Sequence, residues 1–482
     1  MELGKRVKIA YGIIGIADQC QYFLFGTFFL FFATTVAGLD AAVAGAMAAM
    51  GAVWDAVSSA FIGNLSDRCS SPHGRRRIFI MAASLPAAIT TSLLFTSFDL
   101  GSSAKVAYYV IMTLFFWSSF SGFFIPYLAW GAELTQDYDQ RTVLRGYAYA
   151  GNTVGMAIGA VIPSVVVEAT VGAGLSTAAA WQFTASLIGI ILFLVLFFGA
   201  WSIKPDGKTP ELTISRSQEM NVPKRKGMKG HRFGSSPEGN LISQYLSLLK
   251  IPALRYAIYA SILYLAANTI FVADRLYFYT YNMGLTGGQI SLLMGLEPFV
   301  GLIFMPIITA VSKHFDKRSQ YIAGLLICGF SMLVLRFTGT RTFFEAAIML
   351  VFFGIGAICY WQFMPSMIYD VCEADELETG LKRQGKIVSL QAMSESFSEA
   401  IGLFLLGYVL KLAGFDGAAA VQQETALTWV SNCFTFIPGL FMMASAYMIY
   451  KYPITREVYE NICRKLQQRR SEEAQGELKQ KG

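Results

Sequence analysis

AAVAGAMAAMGAVWDAVSSAFIGNL (residues 41–65) is an apolar run broken by one carboxylate, Asp55, and it leaves through Gly63-Asn64-Leu65-Ser66-Asp67-Arg68 towards Gly74-Arg75-Arg76-Arg77. About 20 apolar residues suffice to cross the hydrocarbon of a bilayer as a helix, so this run reads as a membrane span. A charged side chain at that depth is costly unless it meets a cation, a proton or a water-filled cavity. Asp55 therefore reads as part of an ion or substrate path.

Eleven further runs share this character, near 11–37, 78–97, 106–133, 147–169, 180–202, 255–281, 288–312, 321–338, 344–370, 388–413 and 427–450. The chain of 482 residues is 54% hydrophobic, 14% aromatic and only 15% charged, against roughly 25% charged in an average soluble domain. These figures predict an all-α, multi-pass membrane protein in contact with the lipid bilayer. The first run is too long for a signal-peptide core and shows no small-residue cleavage site before the next, so it is expected to stay.

Lys and Arg gather at the amino end, in the even-to-odd connections and in the carboxyl tail, as Arg75-Arg76-Arg77, Lys224-Arg225-Lys226, Lys317-Arg318 and Lys382-Arg383. The opposite connections offer only Lys105, Arg341 and Lys411. The positive-inside bias places both termini in the cytoplasm, with the protein in the cell membrane. The net charge of +6 follows from the same bias and calls for no nucleic acid partner. Seven cysteines without C-x-x-C spacing are expected to be free thiols.

The stretch 204–250, rich in Lys, Arg, Gly, Ser and Pro, reads as a cytoplasmic linker between six-helix bundles at 1–203 and 251–452, with a cytoplasmic tail at 453–482. The halves show a faint repeat. Phe124-Ile125-Pro126 precedes Glu133 and Asp137, as Phe363-Met364-Pro365 precedes Asp370 and Glu373. The exit Asp67-Arg68 likewise resembles Asp316-Lys317-Arg318. Such duplication marks transporters. Prolines at 126, 163, 298, 306, 365 and 438 lie inside spans, where each removes a helical hydrogen bond and can bend the helix, or is simply tolerated.

Asp55 lies one turn from Ser58 and Ser59, and a carboxylate flanked by hydroxyls can hold a hard cation such as Na+ or carry H+ itself. Asp18, with Gln19 and Tyr22 on the first span, is the nearest candidate partner. Alternatively, Asp55 only hydrogen-bonds a neighbouring helix. On the eleventh span Glu395 and Glu399 are one turn apart, and Arg275, beside Asp274, is the Arg set deep in a span. Two close acids call for a proton or a cation, so a bridge to Arg275 that breaks and reforms during transport is expected. Anion binding by Arg275 and a static buried pair are the alternatives. Glu297, before Pro298, is a further intramembrane acid assigned to coupling.

Trp117, Tyr149, Trp361 and Gln362 fall at mid-span, where aromatic faces and amides can hold a sugar ring or another amphipathic solute, or pack between helices. At the span ends Asp67, Arg68, Arg75, Arg76 and Arg141, with Asp316, Lys317 and Arg318, are candidates for gating ion pairs. His73, His231 and His314 lack metal-ligand spacing, and no Walker loop or nucleophile elbow is present, so no enzyme, metal or cofactor is expected. The tail carries Val458, Ile462 and Leu466 at helical spacing and is expected to lie along the inner surface.

The Gly63-to-Arg68 motif followed by Gly74-Arg75-Arg76 resembles the loop motif of the major facilitator superfamily. Tyr11-Gly12, Trp54-Asp55-Ala56 and the stretch from Ile125-Pro126-Tyr127 to Gln140-Arg141-Thr142 are similar to the glycoside-pentoside-hexuronide:cation symporters, the melibiose-carrier family. The likeness implies the major facilitator fold of twelve helices in two six-helix bundles. It also implies a substrate cavity between the halves and Asp55 as a cation ligand. Sugar-carrying members have a second acid where this chain has Ser59 and an acid where it has Phe124; an Arg stands near Tyr149, and a Lys near Ser396.

The expected function is cation-coupled symport of a small organic solute, a sugar or glycoside first, by alternating access in a monomer, with H+ favoured over Na+. A carrier of a lysolipid or organic acid is the runner-up. A non-transporting membrane enzyme or receptor is the competing class.

Overall fold

A computed structural model describes residues 3–69, 71, 74–135, 138–203, 248–312, 314–339, 342–380, 383–419 and 421–481, without the side chains at 132, 138, 139, 141, 142 and from 470 onward. Among the described residues twelve helices are long and apolar enough to cross a membrane. In the first half they are α1 (Lys5–Val36), α2 (Ala41–Arg68), α3 (Arg75–Leu94), α4 (Ser102–Leu134), α5 (Tyr138–Gly172) and α6 (Thr177–Ser202). In the second half they are α7 (Pro252–Asn282), α8 (Gly287–Val311), α9 (Lys317–Thr338), α10 (Phe343–Thr379), α11 (Gln384–Leu412) and α12 (Glu424–Lys451). A tail helix, α13, covers Arg456–Lys481.

The expected spans are all present, and several helices run past the apolar windows. Helix α10 continues nine residues beyond position 370, to Thr379, because a helix satisfies its own backbone and need not stop where the hydrocarbon stops. Single turns of π-helix occur at Phe32–Val36, Phe278–Asn282 and Asn432–Phe436. The helices run through Pro126, Pro163, Pro298, Pro306 and Pro365, and through Pro86 on α3, which the span reading passed over.

The packing repeats at an offset of six helices. In the first half α1 packs on α5 and α6, α3 on α4 and α6, and α2 on α4; in the second α7 packs on α11 and α12, α9 on α10 and α12, and α8 on α10. The halves meet through α2 against α11, α5 against α8 and α1 against α7. Close approach needs small residues, as expected between membrane helices. A Cβ at Gly159 of α5 would lie 2.5 Å from the Cys20 carbonyl oxygen of α1. Gly74, with φ of 87°, supplies the left-handed turn into α3. All seven cysteines are free thiols.

In the tail Leu466 is buried and Ile462 packs against the core, with α13 docked on the end of α10. There the Lys317 ammonium lies 5.1 Å from the Tyr459 ring centroid.

Candidate functional site

A group of carboxylates sits where the halves meet. Asp55 of α2 accepts hydrogen bonds from Ser121 of α4 at 2.9 Å and from Ser59 one turn on at 3.4 Å. Ser58 is 2.7 Å from the same Ser121 hydroxyl. Asp18 of α1 accepts from Asn152 of α5 at 3.2 Å and from Gln19. Tyr22 of α1 donates its phenol across the interface to Glu399 of α11. Glu395 accepts from Tyr360 of α10 at 3.3 Å and from Gln391 at 3.2 Å, and Ser261 of α7 bonds both of those donors.

The charges of Asp55 and Glu395 act on Glu399, and that of Asp55 acts on Asp18, so the four acids form one electrostatic group. Among the described residues none of the four makes a salt bridge. Arg145 of α5, exposed and one turn before Tyr149, is the cation whose charge reaches Asp18. Ser121, Asn152, Ser261, Tyr360 and Gln391 escaped the sequence reading. Their signal was a polar side chain inside an apolar span, which marks many positions of no consequence as well.

The bridge expected from Arg275 to Glu395 or Glu399 is not made. Arg275 bonds Glu297 at 2.9 Å and the Thr27 hydroxyl of α1 at 2.8 Å, with its side chain 1% exposed. It points to α8 and α1, whereas Glu399 turns to Tyr22. Glu297 thereby gains the partner that its local sequence did not suggest.

The aromatic candidates divide. Trp117 is buried within the first half against Tyr22, Phe25 and Phe120, with Gly51 so close that a Cβ there would lie 2.6 Å from its indole nitrogen. It supports Tyr22 and presents no face to a solute. Tyr149 lines a cavity of about 460 Å³ with Leu302, Met305 and Thr309 of α8. Gln362 donates to Thr309 at 3.0 Å, and Trp361 is exposed beside Tyr360.

Contacts between the halves concentrate at the end away from the chain termini. Lys411 pairs with Asp40 at 3.3 Å, and Glu168 accepts the Gly288 backbone N–H at 2.6 Å. Thr34 and Tyr277 share a bond of 2.7 Å, and a Cβ at Gly45 would lie 2.9 Å from the Gly407 Cα. Toward the termini, α2 exposes Val57 and Phe61, α5 Tyr147, α8 Phe299 and Ile303, and α11 Val388 and Phe397. The halves are therefore joined at one end, and toward the other these side chains are left uncovered.

At the uncovered end the expected ion pairs form, but within each half. Arg76 is bonded to Asp67, to Glu133 at 3.0 Å and to Ser66 at 2.6 Å, while Arg75 reaches Glu133 at 2.6 Å. In the second half Lys317 pairs with Asp370 and Arg318 bonds the Tyr450 carbonyl. Asp316 caps α9 by accepting from the Arg318 N–H at 3.4 Å, and Arg68 is exposed outside this network. These pairs brace each bundle and do not join the two in this state. Arg141 lies outside the described side chains.

Residues 10–456 match the family described as MFS/sugar transport protein. An uncharacterized symporter of Synechocystis is 25% identical over 96% of both chains. The glucuronide carrier protein homolog of Escherichia coli is 24% identical over 98% of both. A crystal structure of a D-xylose-proton symporter superposes with a TM-score of 0.65 at 12% identity, covering 93% of this chain and 98% of that one. The resemblance read from the motifs is borne out, and the chain is a transport protein and not an enzyme. It belongs to the MFS/sugar transport family of the major facilitator superfamily, among the glycoside-pentoside-hexuronide:cation symporters.

Proposed function

We propose that this chain is an H+-coupled symporter of a glycoside or similar sugar-like solute, working by alternating access as a monomer in the cell membrane. The termini are cytoplasmic in this reading, so the uncovered end faces inward. Residues 1–203 and 251–452 rock about the central acids, joined by 204–250.

The observation that carries the proposal is the link from Asp55 to the second half. Asp55 accepts from Ser121, Ser121 also bonds the Trp117 carbonyl, the Trp117 ring packs on Tyr22, and Tyr22 is bonded to Glu399 across the interface. A proton or solute arriving there bears on a bond that both halves share, and a ligand shifts the states only as far as it binds them differently. H+ is proposed over Na+ because one carboxylate can carry a proton, whereas Na+ needs several oxygen ligands and this chain has Ser59 where sugar-carrying members of the family have a second acid. Tyr22, Gln19 and the exposed Trp361 are the residues proposed to meet the sugar.

The apolar cavity beside Tyr149 supports a second reading, an amphipathic solute whose tail lies along α8. Thermal-shift measurements with glycosides and lysolipids separate the two, because a bound ligand raises apparent stability by mass action. The test of the coupling site is Asp55→Asn in sealed liposomes. Solute exchange should persist while uphill accumulation is lost, and full accumulation by this variant removes Asp55 from the mechanism.

A further inference from the structure

Asp274 of α7 takes no part in the site described above, and its setting is unusual. Its side chain is fully buried, and among the described residues neither carboxylate oxygen has a hydrogen-bond partner. Its neighbour Arg275 does not neutralise it, because that guanidinium is committed to Glu297 and Thr27. Phe271 and Phe278, one turn before and after, share its face of α7. Both stack on Phe434 of α12, with centroids 4.9 and 4.2 Å apart. The titratable groups whose environment registers the charge of Asp274 are Cys433 on α12 and Tyr277 on its own helix. Neither supplies a positive charge.

An ionised carboxylate without cation or donor, walled by aromatic rings inside a helix bundle, is among the costliest arrangements a protein can hold. A neutral acid there is far cheaper. Both helices that enclose it carry a π-turn beside it, Phe278–Asn282 and Asn432–Phe436, an irregularity frequent at functional positions.

We propose that Asp274 holds a proton in this state and is a second proton-carrying carboxylate of the cycle, inside the second bundle and separate from the central acids. The step is simple protonation, carboxylate plus H+ from the outer water giving the carboxylic acid, with the reverse on release. Two bonds between the halves flank it, Arg275 to Thr27 and Tyr277 to Thr34. Their parting when the outer end opens would give water its approach. The transport part of the proposal rests on H+ coupling; the protonation does not.

Infrared difference spectra of the purified protein in liposomes, wild type against Asp274→Asn, test the first part. The protonated-acid carbonyl band should be present at neutral pH in the wild type and reduced in the variant. Carboxylate bands lost in its place overturn the proposal. Accumulation at a fixed pH gradient of one unit tests the second, since each coupled proton is worth about tenfold. Asp274→Asn should lower the steady-state accumulation ratio about tenfold, and an unchanged ratio overturns the transport role. Wild-type accumulation driven by Na+ alone would instead contradict the H+ reading and leave the infrared result standing. Should Asp274→Asn fail to fold, Asp274→Glu keeps the acid, so a shifted band supports the protonation and an unmoved one refutes it.

Discussion

Substitution of Gly407 by Val should force the joined end apart. A Cβ at Gly407 would lie 2.7 Å from the Gly45 Cα and 3.0 Å from the Gly45 nitrogen, and would also press on the Ala41 carbonyl oxygen. All three are backbone atoms, which cannot swing aside as a flexible side chain would. Helices α2 and α11 must therefore separate, or the strain must be borne in the closed state. Overpacking of this kind costs about 1–3 kcal/mol. The cost falls on the sealed state alone, so the balance moves about 5- to 150-fold toward the state open at that end.

Alkylation rates read the shift in a variant whose seven cysteines are replaced. A cysteine at Val57, on the open side, should react more slowly with an impermeant maleimide when Gly407→Val is added. A cysteine at Thr34, buried beneath the seal, should react faster from the opposite face. Gly407→Ala should do the same to a smaller degree and guards against simple misfolding. Unchanged rates at both reporters in a folded protein would show that α2 and α11 do not form the seal.

Tyr22→Phe removes the donor that joins α1 to Glu399. A hydrogen bond to a charged group contributes about 1.5–3 kcal/mol, so coupled uptake should fall roughly ten- to a hundredfold with little loss of expression. Arg275→Leu leaves Glu297 unpaired and should cost about 3–5 kcal/mol in stability, measured by thermal unfolding, while the double variant with Glu297→Leu should recover most of it. Addition of Glu395→Gln to Arg275→Leu should be additive instead. Asp40→Asn should change stability by less than about 1 kcal/mol, because Asp40 and Lys411 are both about half exposed.

The twelve spans and their pairing into halves were legible because hydropathy reports which residues must avoid water. The repeat at Glu133 and Asp370 was legible for a related reason: both acids follow a Pro set inside an apolar span, and each meets a cation within its own bundle. The partner of Arg275 was not. Span membership says nothing of rotation about the helix axis or of which helix stands opposite, and Glu297 lies 22 residues after Arg275, across the end of α7, a loop and the first turns of α8. Trp117 failed for the same reason, since a mid-span aromatic can face a cavity or a neighbouring helix with identical sequence context. The polar supports of the acids, Ser121, Asn152 and Gln391, became visible only when separate helices were brought side by side.

Accumulation of a radiolabelled methyl glycoside in liposomes bearing only this protein, under an imposed pH gradient and then under a Na+ gradient at equal pH, tests the central claim most directly. The account predicts an internal concentration above the external one under the pH gradient, absent in Asp55→Asn and absent under the Na+ gradient alone. Equal concentrations inside and out under both gradients, for a glycoside shown to bind, would contradict it.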